Sequence, residues 1–297
     1  MTIRTVGFIG AGNMGAGMAR CVRAAGFDLT VCDTNPSVLE RFEREGVRTT
    51  HHAADCAGMD AVIVLVANDA QILSVTLGPE GIARSVKKGR EPLVCLMSTT
   101  LPETVARVAE GLSAFNVRLV DAPVSGGQVR AEDGTLTIMI AGDDADIDRA
   151  EPLMRSMGSD VFRCGALGAA EVVKLVNNML GIASMYLAAE AFDLAASHGV
   201  SMERIIPILE VSSGRNFLTA DAGMAPKHYQ TWTRSGPAFD ALISILRKDL
   251  HLAQALARPV GATLPLLDEI SRHVDATDDS VKARWMRLAA QGDAPVG

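Results

Sequence analysis

The first 165 residues alternate short apolar runs with helical patterns. Six runs rich in β-branched and aliphatic residues predict strands, at residues 6–9, 29–32, 61–66, 93–97, 118–120 and 136–141. Helix signals lie between them: Asn35 and Pro36 form an N-cap and a first turn, and Thr100 with Glu103 forms a capping box. Strand, helix and strand repeating in this order predict right-handed βαβ units and a largely parallel, doubly wound sheet.

The pattern changes near Gly165 from strands to helices. Residues 168–198 contain no proline and are apolar on nearly every face, which predicts one long buried helix. Further helical patterns follow without a convincing strand, at residues 202–211, 238–256, 264–274 and 281–290. We therefore predict an α/β domain over residues 1–165 and an all-α domain over residues 166–297, with 293–297 as a loose tail.

Composition narrows the possible functions. Apolar residues make up 48% and charged residues 21% of the 297 residues, as in soluble globular proteins. Lys and Arg number 28 against 35 Asp and Glu, and the resulting net charge of −7 disfavours a nucleic-acid partner. The five cysteines lie scattered, without the spacing of metal ligands, which predicts reduced thiols, no metal site and a reducing compartment.

No export or membrane segment stands out in the sequence. The first residues, MTIRTVGFIGAG, follow a strand pattern rather than that of a signal peptide. The longest uncharged apolar stretch, residues 175–189, is shorter than the roughly 20 residues that a membrane span needs. We expect a cytoplasmic protein that binds no membrane. The apolar character of residues 175–196 also suggests that part of this helix packs against a second subunit, in a homodimer or homotetramer.

A glycine-rich turn lies between the first predicted strand and the first predicted helix. It consists of Gly10, Ala11, Gly12, Asn13, Met14 and Gly15. In such a turn one glycine allows the bend, the next admits a pyrophosphate to the backbone, and the last lets helix and strand pack closely. Asp33 ends the second strand, where a carboxylate accepts the ribose hydroxyls of NAD. The alternatives are a purely structural glycine turn and, for Asp33, an N-cap or a turn residue before Asn35 and Pro36. The strand and helix on either side favour dinucleotide binding.

Two other loops follow predicted strands. The residues after the fifth strand are Ser125, Gly126 and Gly127. Their successive backbone N–H groups could form an anion site, and the sequence is equally consistent with a plain glycine-rich loop. Ser98, Thr99 and Thr100 follow the fourth strand, where one hydroxyl is expected to cap the next helix and another to face a ligand.

Lys174 and Asn178 lie four residues apart on the long predicted helix, and therefore on one face of it. A lysine on so apolar a helix costs free energy unless it is paired with another group or serves a function. It is consistent with a surface salt bridge to Glu171 and, equally, with a buried proton donor or acceptor. Lys248 and Asp249, on a later helix, indicate only an amphipathic face.

Taken in order, these motifs resemble one family over essentially the whole chain: the β-hydroxyacid dehydrogenases that include 3-hydroxyisobutyrate dehydrogenase. The matching motifs are Gly7 to Gly15, Ser98-Thr99, Asp121 to Gly127, Ala131 to Thr137, Lys174 to Asn178 and Lys248-Asp249-Leu250. Residues 63–71 and those from Asp121 onward are most similar to the L-threonate dehydrogenase-like members. The resemblance implies a Rossmann-type domain followed by a helical domain, and NAD-dependent oxidation of a small 3-hydroxy acid, or a related acid such as an aldonate.

The resemblance also implies roles for individual residues. Lys174 is similar to the general acid–base of the family, and Asn178 to its substrate-orienting asparagine. The turn of Ser125, Gly126 and Gly127 would hold the substrate carboxylate. The residues expected against the cofactor, besides the glycine turn and Asp33, are Val66, Ala67, Thr99 and, from the helical domain, Lys248.

The sequence departs from the family in a few places. Ala169, Ala170 and Glu171 replace the more usual residues before the lysine, and residues 226–237 form a long polar connection. The two residues after Asp33 are Thr34 and Asn35 rather than an arginine, which predicts NAD rather than NADP. Two alternatives stay open: an imine reductase, against which Lys174 argues, and a scaffold without turnover, against which both Lys174 and the Ser-Gly-Gly turn argue.

Overall fold

The predicted elements of the first half appear in the expected order in the computed structural model, which describes residues 2–291. The chain divides into two compact units, the first ending at Lys174 and the second beginning at Leu175. The first unit holds a sheet of nine strands: β1 (Thr5–Ile9), β2 (Asp28–Cys32), β3 (Arg48–Thr50), β4 (Ala61–Val64), β5 (Leu93–Leu96), β6 (Arg118–Asp121), β7 (Val124–Ser125), β8 (Thr137–Ala141) and β9 (Asp160–Gly165).

The strand order is β3-β2-β1-β4-β5-β6-β8-β7, with β9 paired to β8. The strands from β3 to β6 run parallel, whereas β8 runs antiparallel to β6 and β7. The helices between them are α1 (Asn13–Ala24), α2 (Pro36–Arg44), α3 (Asp69–Leu77), α4 (Ile82–Ser85), α5 (Pro102–Ser113), α6 (Gly127–Glu132) and α7 (Asp144–Arg155). The prediction of a doubly wound, largely parallel sheet is confirmed.

Burial on both faces explains why the central strands read as continuous apolar runs. Phe8, Val31 and Ile63 belong to the core on one face of the sheet, and Val62 and Leu96 to the core on the other. A parallel sheet covered by helices on both sides has no solvent face and therefore no polar alternation. All six predicted strands are present within a residue or two of their predicted ends.

The sequence patterns did not predict three of the strands: β3, β7 and β9. The first two have only three and two residues. β9 carries Asp160 and Arg163 and is exposed at most of its positions, so it lacks an apolar run. Short or edge strands are held by the ladder beside them rather than by their own burial, and a pattern of buried residues does not reveal them.

The second unit contains no strand among its described residues, 175–291, as predicted. Its helices are α8 (Ala169–Ser197), which begins in the first unit, α9 (Met202–Glu210), α10 (Met224–Thr233), α11 (Gly236–Ala257), α12 (Pro265–Asp275) and α13 (Asp279–Ala290). Its core surrounds Trp285, which is fully buried and meets Tyr186, Tyr229 and Phe239 edge-on. Helix α10 occupies most of the polar segment 226–237, which was expected to be a connection. Residues 293–297, the expected tail, lie outside the described residues.

The expectation that α8 is buried on every face is wrong. Leu180, Leu187 and Leu194 are 61%, 68% and 62% exposed. Among the residues that the structure describes, α8 is also the one helix long and apolar enough to cross a membrane, although core helices of soluble proteins pass that test as well. An all-round apolar pattern does not distinguish burial inside one chain from burial against something else.

Candidate active site

The glycine turn joins β1 to α1, and its three glycines have different reasons to be glycine. A Cβ on Gly10, whose φ is +93°, lies 2.0 Å from the Leu65 carbonyl oxygen, and a Cβ on Gly15 lies 2.1 Å from that of Gly10. Contacts within the chain therefore require glycine at both of these positions. A Cβ on Gly12 meets no atom of the described chain within 4 Å. Packing does not explain this glycine, whereas a pyrophosphate lying against the backbone does. The turn thus fits NAD.

Asp33 faces this turn from the end of β2. Its Oδ2 accepts the Ala11 N–H at 2.9 Å, and its Oδ1 accepts the Asn35 N–H at 2.8 Å. The N-cap of α2 is Asn35, whose side chain accepts the Ser37 N–H, so the alternative of Asp33 as the N-cap is wrong. Two backbone donors hold the partly buried carboxylate in one orientation at the carboxyl end of the strand.

The loops after β4 and β5 are tied together by hydroxyl groups. The Val66 N–H donates to Ser98 Oγ at 2.7 Å, and Thr100 Oγ1 donates to Asp69 Oδ1 at 2.6 Å. The expected capping box at Thr100 is therefore wrong, because its hydroxyl serves Asp69 and the N-cap of α5 is Leu101. Ala67 and Thr99 lie in these same two loops, and both are partly or fully exposed there.

Asp121 ends β6 and anchors the start of α8. Its side chain is fully buried, and its two oxygens accept the N–H groups of Gly168, at 2.8 Å, and Glu171, at 3.2 Å. Burial raises the pKa of this carboxyl group, while the backbone hydrogen bonds act in the opposite direction. The strand that leads into the Ser-Gly-Gly turn thus also fixes the first turn of the lysine helix.

Ser125 ends β7, and Gly126 and Gly127 turn the chain into α6. Their φ values of +144° and +72° lie where only glycine is comfortable. Helix α6 is in turn set by its contact with α1, because a Cβ on Gly17 lies 2.8 Å from the Glu132 nitrogen. The position of the Ser-Gly-Gly turn therefore depends on how closely these two helices approach.

Lys174 lies on the second turn of α8 and is only 8% exposed. Glu171, three residues earlier, has no exposed surface, and its Oε2 accepts the Thr100 N–H at 3.1 Å. A surface salt bridge at a frayed helix end does not describe this pair, since both side chains are buried. Buried ionisable groups of this kind concentrate at functional sites.

In the second unit Asn178 is held by Asp249. The Asn178 Nδ2 donates to Asp249 Oδ2 at 2.7 Å, and Asn177 Nδ2 lies 3.3 Å from Asn178 Oδ1. Lys248 Nζ lies 3.0 Å from the other oxygen of Asp249. The carboxylate is almost fully buried on the inner face of α11. It thereby orients two side chains that the family resemblance assigns to substrate and cofactor.

Sequence reasoning missed the roles of Asp69 and Asp249. It offered Glu171 as a partner of Lys174 but missed the hydrogen bond that Glu171 accepts from Thr100. Asp249 had a usable signal, since it falls among Leu246, Leu250 and the other apolar residues of one face of α11, where an unpartnered carboxylate is costly. Asp69 had none, because its hydroxyl donors come from α5 and the loop before it. In residues 2–291 no group of three or more His, Cys, Asp or Glu side chains is arranged to hold a metal ion.

Comparisons with known proteins cover nearly the whole chain. Residues 5–165 match the family described as the NAD binding domain of 6-phosphogluconate dehydrogenase, and residues 168–287 the NAD-binding family of NADP-dependent 3-hydroxyisobutyrate dehydrogenase. A 3-hydroxyisobutyrate dehydrogenase of Pseudomonas aeruginosa is 33% identical over 88% of each chain. An NAD-dependent L-serine dehydrogenase of the same species is 30% identical over 89% of each. The crystal structure of 3-hydroxyisobutyrate dehydrogenase from Salmonella typhimurium superposes with a TM-score of 0.78, at 29% identity, covering 96% of this chain and 99% of that one.

Proposed function

Because the chain belongs to the β-hydroxyacid dehydrogenase family, NAD-binding oxidoreductases of CH–OH groups, we propose that it oxidises a small 3-hydroxy acid, or a related acid such as an aldonate, to the oxo acid. The observation that carries this proposal is Lys174, a lysine buried in the NAD-binding unit on a helix that Asp121 anchors. A scaffold without turnover has no need of a buried lysine there.

Lys174 is the general acid–base of the proposed reaction. Bound NAD supplies the hydride acceptor. The chain must then remove the hydroxyl proton, or return it in the reverse direction, and a buried lysine amine near neutral pH does both. Such a group contributes about 10²–10⁴-fold to the rate.

The proposed substrate carries a carboxylate close to the reacting hydroxyl. Ser125, Gly126 and Gly127 hold the carboxylate, and Asn178, oriented by Asp249, contacts the hydroxyl. Two of the relatives are named for 3-hydroxyisobutyrate and L-serine, both of which combine a carboxylate with a β-hydroxyl group.

NAD is the proposed cofactor in preference to NADP. The glycine turn from Gly10 to Gly15 and the carboxylate of Asp33 bind its pyrophosphate and adenosine ribose. Val66, Ala67, Thr99 and Lys248 make the remaining contacts. The argument for NAD is the carboxylate of Asp33, which two backbone N–H groups hold in one orientation and which disfavours a 2′-phosphate.

We further propose a cytoplasmic homodimer or homotetramer, with residues 1–165 as the nucleotide domain and 166–297 as the substrate and assembly domain. Leu180, Leu187 and Leu194 recur every seven residues on the exposed side of α8, the spacing of a helix seam. A second copy of the chain is proposed to pack against these leucines. The net charge of −7 makes nucleic acid a poor partner. Light scattering of a Leu187→Glu variant tests this, with a smaller assembly expected than for the wild type.

The activity test uses purified protein with NAD and a panel of acids: 3-hydroxyisobutyrate, L-serine and four-carbon aldonates. Isobutanol serves as the matched alcohol without a carboxylate. We expect at least one acid to be oxidised and isobutanol to be a poor substrate, because buried donors are left unpaired without the carboxylate. Equal turnover of isobutanol and 3-hydroxyisobutyrate contradicts the substrate assignment.

The lysine is tested in the same assay. Replacement of Lys174 by Ala is expected to lower kcat by about 10²–10⁴-fold while NADH binding stays within about threefold of the wild type. A loss below about tenfold returns Lys174 to a structural role.

A further inference from the structure

Glu171 occupies an unusual position for a carboxylate. It has no exposed surface, and it lies one helical turn before Lys174 on α8. Its own N–H donates to Asp121, so the backbone beneath it is fixed at the end of β6. Burial of a carboxylate is costly, and such a group persists where its charge or its hydrogen bonds are used.

One use is visible in the hydrogen bond from the Thr100 N–H to Glu171 Oε2. Thr100 also donates its hydroxyl to Asp69, and Asp69 accepts a second hydroxyl from Thr104. The loop that carries Thr99 is therefore held from two sides, by Asp69 and by Glu171. Glu171 links the proposed nicotinamide-side loop to the helix that carries the lysine.

The second use is electrostatic. Side chains three residues apart on a helix have their Cβ atoms about 5–6 Å apart. A buried carboxylate one helical turn from a buried lysine favours the ammonium form of that lysine. Within the first unit, the other ionisable groups around this point are Asp121 from β6, Asp69 from α3 and the thiol of Cys164 on β9. Burial raises the pKa of Asp121 and of Cys164. On α8 itself, Glu171 is the carboxylate nearest to Lys174 in sequence.

We propose that Glu171 is a positioning residue with two effects: its charge raises the proton affinity of Lys174, and its hydrogen bond to Thr100 holds the Ser98–Thr100 loop in place for the cofactor. The inference rests on the proposed role of Lys174 as the general acid–base. It adds the residue that sets the pH range in which that lysine works.

The test compares Glu171→Gln, Glu171→Ala and a control, Glu103→Gln, which removes an exposed carboxylate from the first turn of α5. The glutamine retains a carbonyl acceptor for the Thr100 N–H but lacks the charge, whereas the alanine lacks both. Two quantities are measured for each protein: the pH midpoint for acetylation of Lys174 in the cofactor-free protein, by peptide mass spectrometry, and the affinity for NADH.

In Glu171→Gln the acetylation midpoint is expected to fall by at least about one pH unit, with NADH affinity within about threefold of the wild type. The basic-side inflection of kcat/KM against pH moves in the same direction. In Glu171→Ala NADH binding is expected to weaken by at least about tenfold, the loss of one hydrogen bond to a charged group. The Glu103→Gln control changes neither quantity.

An unchanged midpoint in Glu171→Gln overturns the electrostatic effect, and unchanged NADH affinity in a folded Glu171→Ala overturns the positioning effect. If Glu171→Ala does not fold, Glu171→Asn, too short to reach Thr100, takes its place with the same criterion. The failure of the proposed function is a separate result, because it appears as turnover retained in Lys174→Ala, whereas the acetylation midpoint does not depend on turnover.

Discussion

Replacement of Asp33 by Asn is expected to shift the cofactor preference from NAD towards NADP. Each oxygen of Asp33 accepts one backbone N–H, from Ala11 at 2.9 Å and from Asn35 at 2.8 Å. An asparagine offers a single oxygen, so one of these donors loses its acceptor and the ribose loses a charged one. A hydrogen bond to a charged group is worth about 1.5–3 kcal/mol. At about 1.4 kcal/mol per factor of ten, kcat/KM with NAD should fall roughly 10–100-fold.

The same substitution should help NADP. Coulomb's law at the dielectric constant of water gives about 1.7 kcal/mol of repulsion between a carboxylate and a dianionic phosphate ~5 Å away. Removing the charge of Asp33 removes this repulsion, which corresponds to roughly a tenfold gain with NADP. The ratio of the two kcat/KM values should therefore change by about 10²–10³-fold.

The assay is steady-state kinetics with each cofactor at a saturating concentration of the best hydroxy acid. Asp28→Asn is the control, since Asp28 begins the same strand, is exposed and pairs with Arg48 at the far end from the turn. A change in the ratio below about threefold in Asp33→Asn, or an equal change in Asp28→Asn, would refute the role assigned to Asp33.

Three further outcomes are expected. Gly12→Ala should leave the Tm unchanged but weaken NADH binding at least about tenfold. Gly15→Ala forces a Cβ against the backbone and should lower the free energy of unfolding by about 1–3 kcal/mol. Thermal melts and NADH titrations of the two variants distinguish these effects. Asp249→Ala should lower kcat/KM for the hydroxy acid roughly 10–100-fold, because Asn178 loses a charge-assisted hydrogen bond; unchanged kinetics would contradict this. Burial lowers the pKa of His228 in the folded protein. As the pH falls through the ordinary histidine pKa, the unfolded chain therefore binds a proton that the folded chain does not, and the free energy of unfolding decreases. The Tm of the wild type should therefore drop more between pH 7.5 and 5.5 than that of His228→Phe, and parallel curves would exclude this contribution.

The sequence was sufficient for the fold because the central strands are buried on both faces. Val62 and Phe8 lie in uninterrupted apolar runs that are typical of buried strands. Gly10 has a φ of +93°, and Gly15 is required by the carbonyl of Gly10 within the same turn. Such local requirements are written into neighbouring residues, and a pattern reveals them.

What the sequence did not reveal depends on distant partners. Thr100 has the spacing of a capping residue, yet its hydroxyl donates to Asp69 and its N–H to Glu171, 31 and 71 residues away. On α8 the buried residues Leu175, Ile182 and Ala189 recur every seven residues, and so do the exposed residues Leu180, Leu187 and Leu194. Both sets are apolar, and only the packed chain distinguishes them. The role of a residue that arises from a tertiary contact becomes visible only in a structure or by resemblance to a known family.

The anchoring of α8 by Asp121 determines where this chain tolerates being cut or recombined. A fragment that stops at residue 165, the predicted end of the nucleotide domain, leaves a fully buried carboxylate without the amides of Gly168 and Glu171. Each lost bond costs about 1.5–3 kcal/mol, a large share of the 5–15 kcal/mol that holds a typical domain folded. Gene fusions and expression fragments of the nucleotide unit should therefore carry the chain through Lys174, and swaps of helical domains between relatives should be joined after that lysine rather than before it.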